Sequence, residues 1–139
     1  MTGQCAAPGT RIALSASMTQ ARQQLGLEGE DLACDALRDR GYAVIDRRYR
    51  TKHGELDIIA RHGDYLVFIE VKARTDGSFG DPPEAVTLQK QQRMVWMATD
   101  YLARQGLLEA ACRFDVVGIE TEGTTPTVTV IEDAFRPGW

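Results

Sequence analysis

The residues best suited to do chemistry lie between Glu55 and Ala73, where charged side chains interrupt two β-rich runs. Side chains alternate between the two faces of a strand, so every second residue shares a face. We therefore expect one face of this hairpin to carry three acids, a lysine and three apolar residues: Glu55, Asp57, Ile59, Leu66, Phe68, Glu70 and Lys72. The opposite face should be apolar and carry Leu56, Ile58, Val67, Ile69 and Val71.

The short link between the two runs predicts their register. A two-residue turn formed by His62 and Gly63 would pair Arg61 with Asp64. That register predicts two cross-strand pairs nearer the strand ends, Asp57 with Phe68 and Glu55 with Glu70. Asp57 then lies on the diagonal from Glu70, so the acids should be close together.

Acids that gather on one strand face repel one another unless they are solvated or hold a cation. Mg²⁺ prefers a few carboxylates plus water and phosphate oxygens, a set to which Asp57 and Glu70 could contribute. Lys72 could face a phosphate or position a water molecule, and such a set is suited to phosphodiester hydrolysis. Spacing alone leaves an alternative open, because a solvated strand face with ordinary cross-strand ion pairs has the same residues.

Two further groups of charged residues could contribute to such a site. Glu30 borders the apolar arc of the predicted first helix and could reach the hairpin face, although a partly exposed surface glutamate is the commoner outcome. The stretch 47–53 contains one aromatic residue and four fixed positive charges, which could bind a phosphate backbone. These residues are Tyr49, Arg47, Arg48, Arg50 and Lys52. Short basic runs also occur as solvated edge-strand residues. His53 and His62 have no partner at metal-ligand spacing and are assigned no role.

Hydrophobic periodicity predicts the elements that position these residues. One helix is expected over 25–40 with Gly41 as its stop, and a second from a Thr87 cap to Gln105, ended by Gly106. The second helix should bury Met94, Val95, Ala98, Tyr101 and Leu102. Strands are predicted over 42–49, 55–61, 65–73, 113–119 and 127–131, and a loop over 75–83. Residues 1–24 are expected to be a poorly ordered leader before a single domain over 25–139.

The order of these elements predicts an α/β sandwich. Three consecutive strands joined by short links should form an antiparallel meander. The helical crossover that follows allows a later strand to return parallel to a neighbour, so the sheet should be mixed and flanked by helices.

Composition limits the possible classes of protein. A chain of 139 residues that is 43% hydrophobic and 26% charged has room for one ordinary domain. The net charge of −4 and the pI near 5.2 argue against coating nucleic acid through bulk electrostatics, so any such contact must be local.

Several other sites and locations are disfavoured by the sequence. Cys5, Cys34 and Cys112 are far apart and lack CxxC spacing, which favours reduced cytosolic thiols over disulfides or a zinc ribbon. No apolar run is long enough for a membrane span or a secretory signal, so we expect a cytoplasmic protein without a membrane partner. A P-loop, a GxGxxG after a strand and a GxSxG elbow are absent from the sequence, so no nucleotide cofactor is expected.

Two sequence runs carry a family resemblance, GELDIIA at 54–60 and VFIEVKAR at 67–74. They resemble the YraN family of small bacterial endonuclease-like proteins, which is similar to Holliday junction resolvases within the PD-(D/E)XK nuclease superfamily. The likeness covers roughly residues 28–135 and includes 29–33, 79–80, 84–86, Lys90 and 113–117. This chain departs from the pattern at 47–48, where an asparagine is more usual, and in its first 24 residues.

The resemblance implies a fold and a role for each matching residue. The fold is a restriction-endonuclease-like three-layer sandwich. Asp57 and Glu70 would bind Mg²⁺ or Mn²⁺, and Lys72 would orient the attacking water or stabilise phosphate charge. Glu30 would assist from the helix, and Lys90 would contact the substrate.

We therefore expect a metal-dependent endonuclease that hydrolyses DNA, with branched or damaged DNA in recombination or repair among its candidate substrates. A fold can persist without its activity, so a non-catalytic nucleic-acid-binding or partner-docking module stays open, although the complete metal set favours an enzyme. A hydrolase of a small phosphorylated molecule is a third interpretation. A junction resolvase needs two sites related by a twofold axis, which leaves a homodimer open as well.

Overall fold

A computed structural model of the protein describes residues 18–74, 86–120 and 125–137, with backbone alone at 18–27 and 74. Its elements are α1 (Met18–Asp39), β1 (Ala43–Thr51), β2 (Gly54–His62), β3 (Tyr65–Arg74), α2 (Leu88–Gln105), β4 (Cys112–Glu120) and β5 (Thr127–Phe135). The predicted order of helices and strands is confirmed. The loop predicted over 75–83 and the first 17 residues of the predicted leader lie outside the described residues. Residues 18–24 form the first two turns of α1, which begins seven residues before the predicted start.

The five strands form one mixed sheet in the order β1-β2-β3-β4-β5. Neighbouring strands are antiparallel except β3 and β4, which run parallel because α2 carries the chain back between them. The helices cover opposite faces of the sheet, since each packs against a separate hydrophobic cluster. The protein is thus an α/β sandwich with the restriction-endonuclease-like arrangement expected from its sequence. None of the described helices is long and apolar enough to cross a membrane.

Each helix contributes one apolar stripe to the core. On one face, Ala33 and Leu37 of α1 pack with Ile58, Ile69 and Val117 of the sheet. On the other face, α2 packs on Ile59, Phe68 and Phe114 through the buried residues Met94, Met97, Ala98, Tyr101 and Leu102. The predicted buried stripe of α2 is correct at four of its five residues. Val95, the fifth, is only partly buried, and Met97, which was not predicted, is fully buried.

The ends of the helices follow the predicted capping residues. The hydroxyl of Thr87 accepts a hydrogen bond from the backbone N–H of Lys90 at 3.2 Å. Gly41 and Gly106, which end α1 and α2, have φ values of +89° and +69°. Glycine adopts this left-handed conformation at no steric cost, which is why it ends helices so often.

The predicted register of the β2–β3 hairpin is wrong by two residues. His62 pairs with Tyr65, so the turn consists of Gly63 and Asp64. Gly63 has a φ of +61°, a conformation that glycine supplies at the first position of tight hairpin turns. Pairing continues to Ile58 and Ile69, and Asp57 and Glu70 are the next residues on the two strands. The correction therefore brings Asp57 across from Glu70 instead of Phe68.

The alternation of side chains along β2 breaks at Asp57. Ile58 belongs to the cluster under α1 and Ile59 to the cluster under α2, as alternation requires. Leu56, however, lies with Ile59 under α2, whereas the sequence pattern predicted it on the face of Ile58. On β1, Arg48 lies between the partners of Leu56 and Ile58 and has a positive φ of 57°. Both strands are thus irregular where Asp57 is placed, and a pattern of strict alternation could not have shown this.

Candidate metal-binding and nucleic-acid site

The centre of the candidate site is a pair of carboxylates on adjacent strands. Asp57 of β2 is held by a hydrogen bond in which Val71 of β3 donates its backbone N–H to Oδ2 at 2.7 Å. Glu70 precedes Val71, and its side chain is only 12% exposed. Because the carboxylate of Asp57 is tied to the neighbour of Glu70, the two acids are kept in one half-buried region at the edge of the paired segment.

The electrostatics of this pair disfavour two uncompensated negative charges. Burial, and next the charge of Glu70, raises the pKa of Asp57 to about 7, with smaller contributions from Glu30 and Glu55. The hydrogen bond from Val71 acts in the opposite direction. Burial also raises the pKa of Glu70, against the attraction of nearby cations. A bound cation would offset the repulsion between the two carboxylates and favour their charged forms.

Three basic side chains surround Glu70. The Nζ atom of Lys90 lies 3.9 Å from Oε2 of Glu70, and the Thr87 cap holds the start of α2 in place beside the sheet. The positive charges of Lys90, Arg93 and Lys72, in that order of effect, oppose the rise in the pKa of Glu70. The structure therefore brings the predicted residues Lys72 and Lys90 into the surroundings of the acid pair.

Glu30 of α1 lies near the acid pair and is more buried than a typical surface glutamate. Glu30 is only 8% exposed, and its negative charge is one of the smaller causes of the raised pKa of Asp57. Its Oε1 atom accepts a hydrogen bond from Nε of Arg48 at 3.1 Å and lies 3.4 Å from Nη2 of Arg47. Two arginines of β1 thus form ion pairs with this buried acid, as buried charged groups generally require.

The predicted phosphate-binding run on β1 is mostly engaged with acids of the same chain. Arg47 also binds Asp31 at 2.9 Å, and Arg50 binds Glu55 at 2.9 Å. Lys52 is exposed in the turn between β1 and β2. The run therefore does not form one bare positive surface, and Arg47 and Arg48 lie against α1.

Arg93 was missed by the sequence reasoning although it borders the site. It is one helical turn after Lys90, so the two share a side of α2, and this spacing was the available signal. Its Cδ atom lies 3.0 Å from the position that a Cβ would take at Gly54, whose φ is +136°. The turn before β2 therefore needs glycine, both for its backbone conformation and for the approach of Arg93.

A second polar cluster, also missed, joins β4 to Tyr42 and to His62 at the end of β2. The fully buried Asp115 accepts hydrogen bonds from the hydroxyl of Tyr42 at 2.6 Å and from Nε and Nη2 of Arg113 at 2.9 Å each. Arg113 also donates to Nδ1 of His62, which stacks on Tyr42 with ring centroids 3.9 Å apart. The i, i+2 spacing of Arg113 and Asp115 in an apolar strand was the only sequence signal.

The donor set at the acid pair fits Mg²⁺ or Mn²⁺. Among the described residues, no three acid, histidine or cysteine side chains converge as a closed ligand cage. Mg²⁺ is commonly bound by one or two carboxylates, with water and substrate phosphates filling the other positions. Asp57 and Glu70 are such a half-buried pair, whereas the nitrogen and sulfur ligands that Zn²⁺ favours do not join them in a cluster among the described residues.

Comparisons with known proteins place the chain in a family. The model of the family described as "Uncharacterised protein family UPF0102" matches residues 29–119. A UPF0102 protein of Anaeromyxobacter dehalogenans is 46% identical over 121 residues, which cover 84% of this chain and 90% of the relative. A UPF0102 protein of Geobacter metallireducens is 42% identical over 119 residues, covering 86% and 98%. The chain therefore belongs to the UPF0102 family, which is the YraN family that its sequence motifs resemble.

Proposed function

We propose that the protein is a metal-dependent endonuclease that hydrolyses DNA phosphodiester bonds. The observation that carries this proposal is the half-buried pair of Asp57 and Glu70, with the amine of Lys90 3.9 Å from Glu70. A carboxylate pair beside cations has the charges needed for a hard cation and for a phosphate in the same place.

Each residue has a distinct role in this proposal. Asp57 and Glu70 hold Mg²⁺ or Mn²⁺, and the hydrogen bond from Val71 fixes the orientation of the Asp57 carboxylate. The bound metal would polarise the phosphate and lower the pKa of a water molecule. Lys72 stabilises charge on the phosphate or orients the attacking water.

Contacts with DNA would be local because the chain has a net charge of −4. Lys90 and Arg93 on α2 are the cations best placed to hold phosphates near the acid pair, and Lys52, exposed in the turn before β2, is a further candidate contact. Arg47 and Arg48 act instead by compensating Glu30, so their effect on DNA is indirect. Arg50 can contact DNA only if it leaves Glu55.

The proposal is tested by cleavage of labelled linear duplex, single-stranded and four-way-junction DNAs with Mg²⁺ or Mn²⁺. Wild type is compared with Asp57→Asn, Glu70→Gln and Lys72→Ala, and Arg136→Ala serves as a control at an exposed ion pair. We expect cleavage that is lost in the three site variants and retained in the control. Mn²⁺ binding, followed by calorimetry, should be lost in Asp57→Asn and Glu70→Gln and retained in Lys72→Ala. A wild type that binds no divalent ion and cuts no DNA would refute the proposal.

A second candidate function is a non-catalytic module that binds nucleic acid or a protein partner. It is favoured by the engagement of Arg47, Arg48 and Arg50 with acids of the same chain. This candidate predicts DNA binding that is unchanged in Asp57→Asn and is never followed by cleavage. Cleavage that disappears in Asp57→Asn would exclude it.

A further inference from the structure

An exposed aromatic pair lies beside the acid pair and has no part in the roles described so far. The rings of His53 and Trp96 have centroids 5.2 Å apart and planes inclined by 48°. Trp96 is 50% exposed, whereas its neighbour Met97 on the same helix is fully buried. His53, in the turn between β1 and β2, is also exposed. About half of a tryptophan side chain is thus presented to solvent next to a second ring.

The location of this pair follows from Gly54, which adjoins His53. Gly54 approaches α2 between Arg93 and Met97, 3.0 Å and 3.6 Å from the position of its missing Cβ. Lys90, one helical turn before Arg93, has its Nζ atom 3.9 Å from Oε2 of Glu70. Lys90, Arg93 and Trp96 lie at successive turns of α2, so that Trp96 is about 9 Å along the helix axis from Lys90. Trp96 is therefore about one nucleotide spacing along α2 from Lys90, the cation that lies 3.9 Å from Glu70.

Aromatic faces next to phosphate-binding cations are the usual means by which proteins hold unpaired bases. The cations track the backbone, and the bases stack on the rings. A base inside a duplex has both faces covered by its neighbours, so it cannot stack on a protein ring without being extruded. The pair thus has the chemistry to distinguish unpaired from paired nucleotides near the acid pair.

We propose that His53 and Trp96 form a stacking site for an unpaired nucleobase of the DNA substrate, one nucleotide from the phosphate held at Asp57 and Glu70. This inference rests on the proposed function and specifies its substrate class, a DNA with unpaired bases at the point of cleavage. Lys90 and Arg93 hold the intervening backbone. Fully paired DNA uses the cations alone.

Binding without cleavage tests the stacking site. Fluorescence anisotropy in EDTA compares a labelled single strand with a blunt duplex of the same sequence, using wild type, Trp96→Ala, Trp96→Phe and the control Leu108→Ala. Leu108 is 62% exposed after the end of α2, so its variant removes exposed apolar area far from the site. We expect Trp96→Ala to weaken single-strand binding about tenfold and duplex binding by less than about twofold. Trp96→Phe should retain most of the affinity, and Leu108→Ala all of it.

A second measurement does not depend on the folding of Trp96→Ala. Trp96 and Trp139 are the two tryptophans of the chain, so a Trp139→Phe variant reports on Trp96 alone. Stacking predicts that the single strand quenches this fluorescence and the duplex does not.

The outcomes separate the two proposals. Equal effects of Trp96→Ala on both DNAs, or no effect on either together with unchanged fluorescence, would overturn the stacking site and leave the endonuclease proposal in place. A wild type that binds neither DNA in EDTA would also overturn the stacking site, whereas the endonuclease proposal is overturned only by the absence of both metal binding and cleavage.

Discussion

The Oδ2 atom of Asp57 accepts the backbone N–H of Val71 at 2.7 Å, so a side chain of β2 is bonded to the backbone of β3 just past their paired segment. The carboxylate is thereby fixed next to Glu70 even though the strands are no longer paired there. Regular pairing would have left this N–H to a backbone carbonyl. The irregularity of β2 at Asp57 therefore helps to position the carboxylate of Asp57 beside Glu70.

Removal of the Asp57 charge should stabilise the metal-free protein. The pKa of Asp57 is raised to about 7 from an ordinary value of 3.8, so the folded state binds a proton more tightly than the unfolded state. Stability then falls as the pH rises from about 4 to 7, because the unfolded chain releases its proton first. We expect Asp57→Asn to raise the free energy of unfolding at pH 8 by on the order of 2 kcal/mol and to have little effect at pH 4.

Thermal unfolding in EDTA at pH 4 and pH 8 measures this difference. Glu109→Gln is a matched control, since Glu109 is exposed and lies in the loop after α2. A stabilisation by Asp57→Asn that is the same at both pH values would show that loss of a buried charge is not its cause.

Gly54→Ala should disturb the site more than the same change in the β2–β3 turn. At position 54 the new Cβ would lie 3.0 Å from the side chain of Arg93, and the alanine would have to adopt a φ of +136°. At Gly63 nothing lies within 4 Å, and the φ of +61° is the only cost. We expect losses of about 2–3 kcal/mol for Gly54→Ala and about 1 kcal/mol for Gly63→Ala, measured by urea unfolding. Equal losses would mean that Arg93 moves aside freely.

Asp115 should be the most stabilising charged residue of the described core. Its replacement by asparagine removes the closest carboxylate from the guanidinium of Arg113, which is only 11% exposed, and leaves Glu132, 3.7 Å away and half exposed, as its remaining acid. Breaking one side of a buried ion pair costs about 3–5 kcal/mol, so we expect a loss of that size for Asp115→Asn. Urea unfolding measures the loss, and Arg136→Ala, at an exposed ion pair with Asp133, should leave the midpoint unchanged. A loss below about 1 kcal/mol would mean that the pair is effectively solvated.

The left-handed backbone at position 48 should tolerate asparagine better than a β-branched residue. Arg48 has a φ of +57°, which asparagine adopts more readily than most side chains. Arg48→Asn also loses the bond to Glu30, although Arg47 remains 3.4 Å from that acid. We expect the free energy of unfolding of Arg48→Val to be about 2 kcal/mol lower than that of Arg48→Asn. Identical urea midpoints for the two variants would contradict a strained backbone at this position.

An asparagine is more usual at 47–48 in the family that the sequence resembles, and at position 48 it would fit the positive φ. A residue type that tolerates positive φ suits the irregular part of β1 opposite Asp57. In this chain an arginine takes the place, and its side chain lies against Glu30. The departure therefore exchanges backbone preference for an ion pair.

Local pattern in the sequence determined the elements and the acids of the site. Capping residues and apolar periods depend on neighbours within one or two turns, which is why the ends of α2 at Thr87 and Gly106 could be predicted. The identity of Asp57 and Glu70 as candidate ligands followed from residue type and from the family resemblance.

The tertiary structure decided the register, the pairing of charges and the second polar cluster. A shift of two residues in a hairpin keeps every side chain on its face, so the hydrophobic pattern did not distinguish Phe68 from Glu70 as the neighbour of Asp57. The contacts of Arg48 with Glu30, and of Tyr42 with Asp115, join residues 18 and 73 positions apart. Such contacts depend on how the helices and strands pack, and no local period of the sequence encodes them.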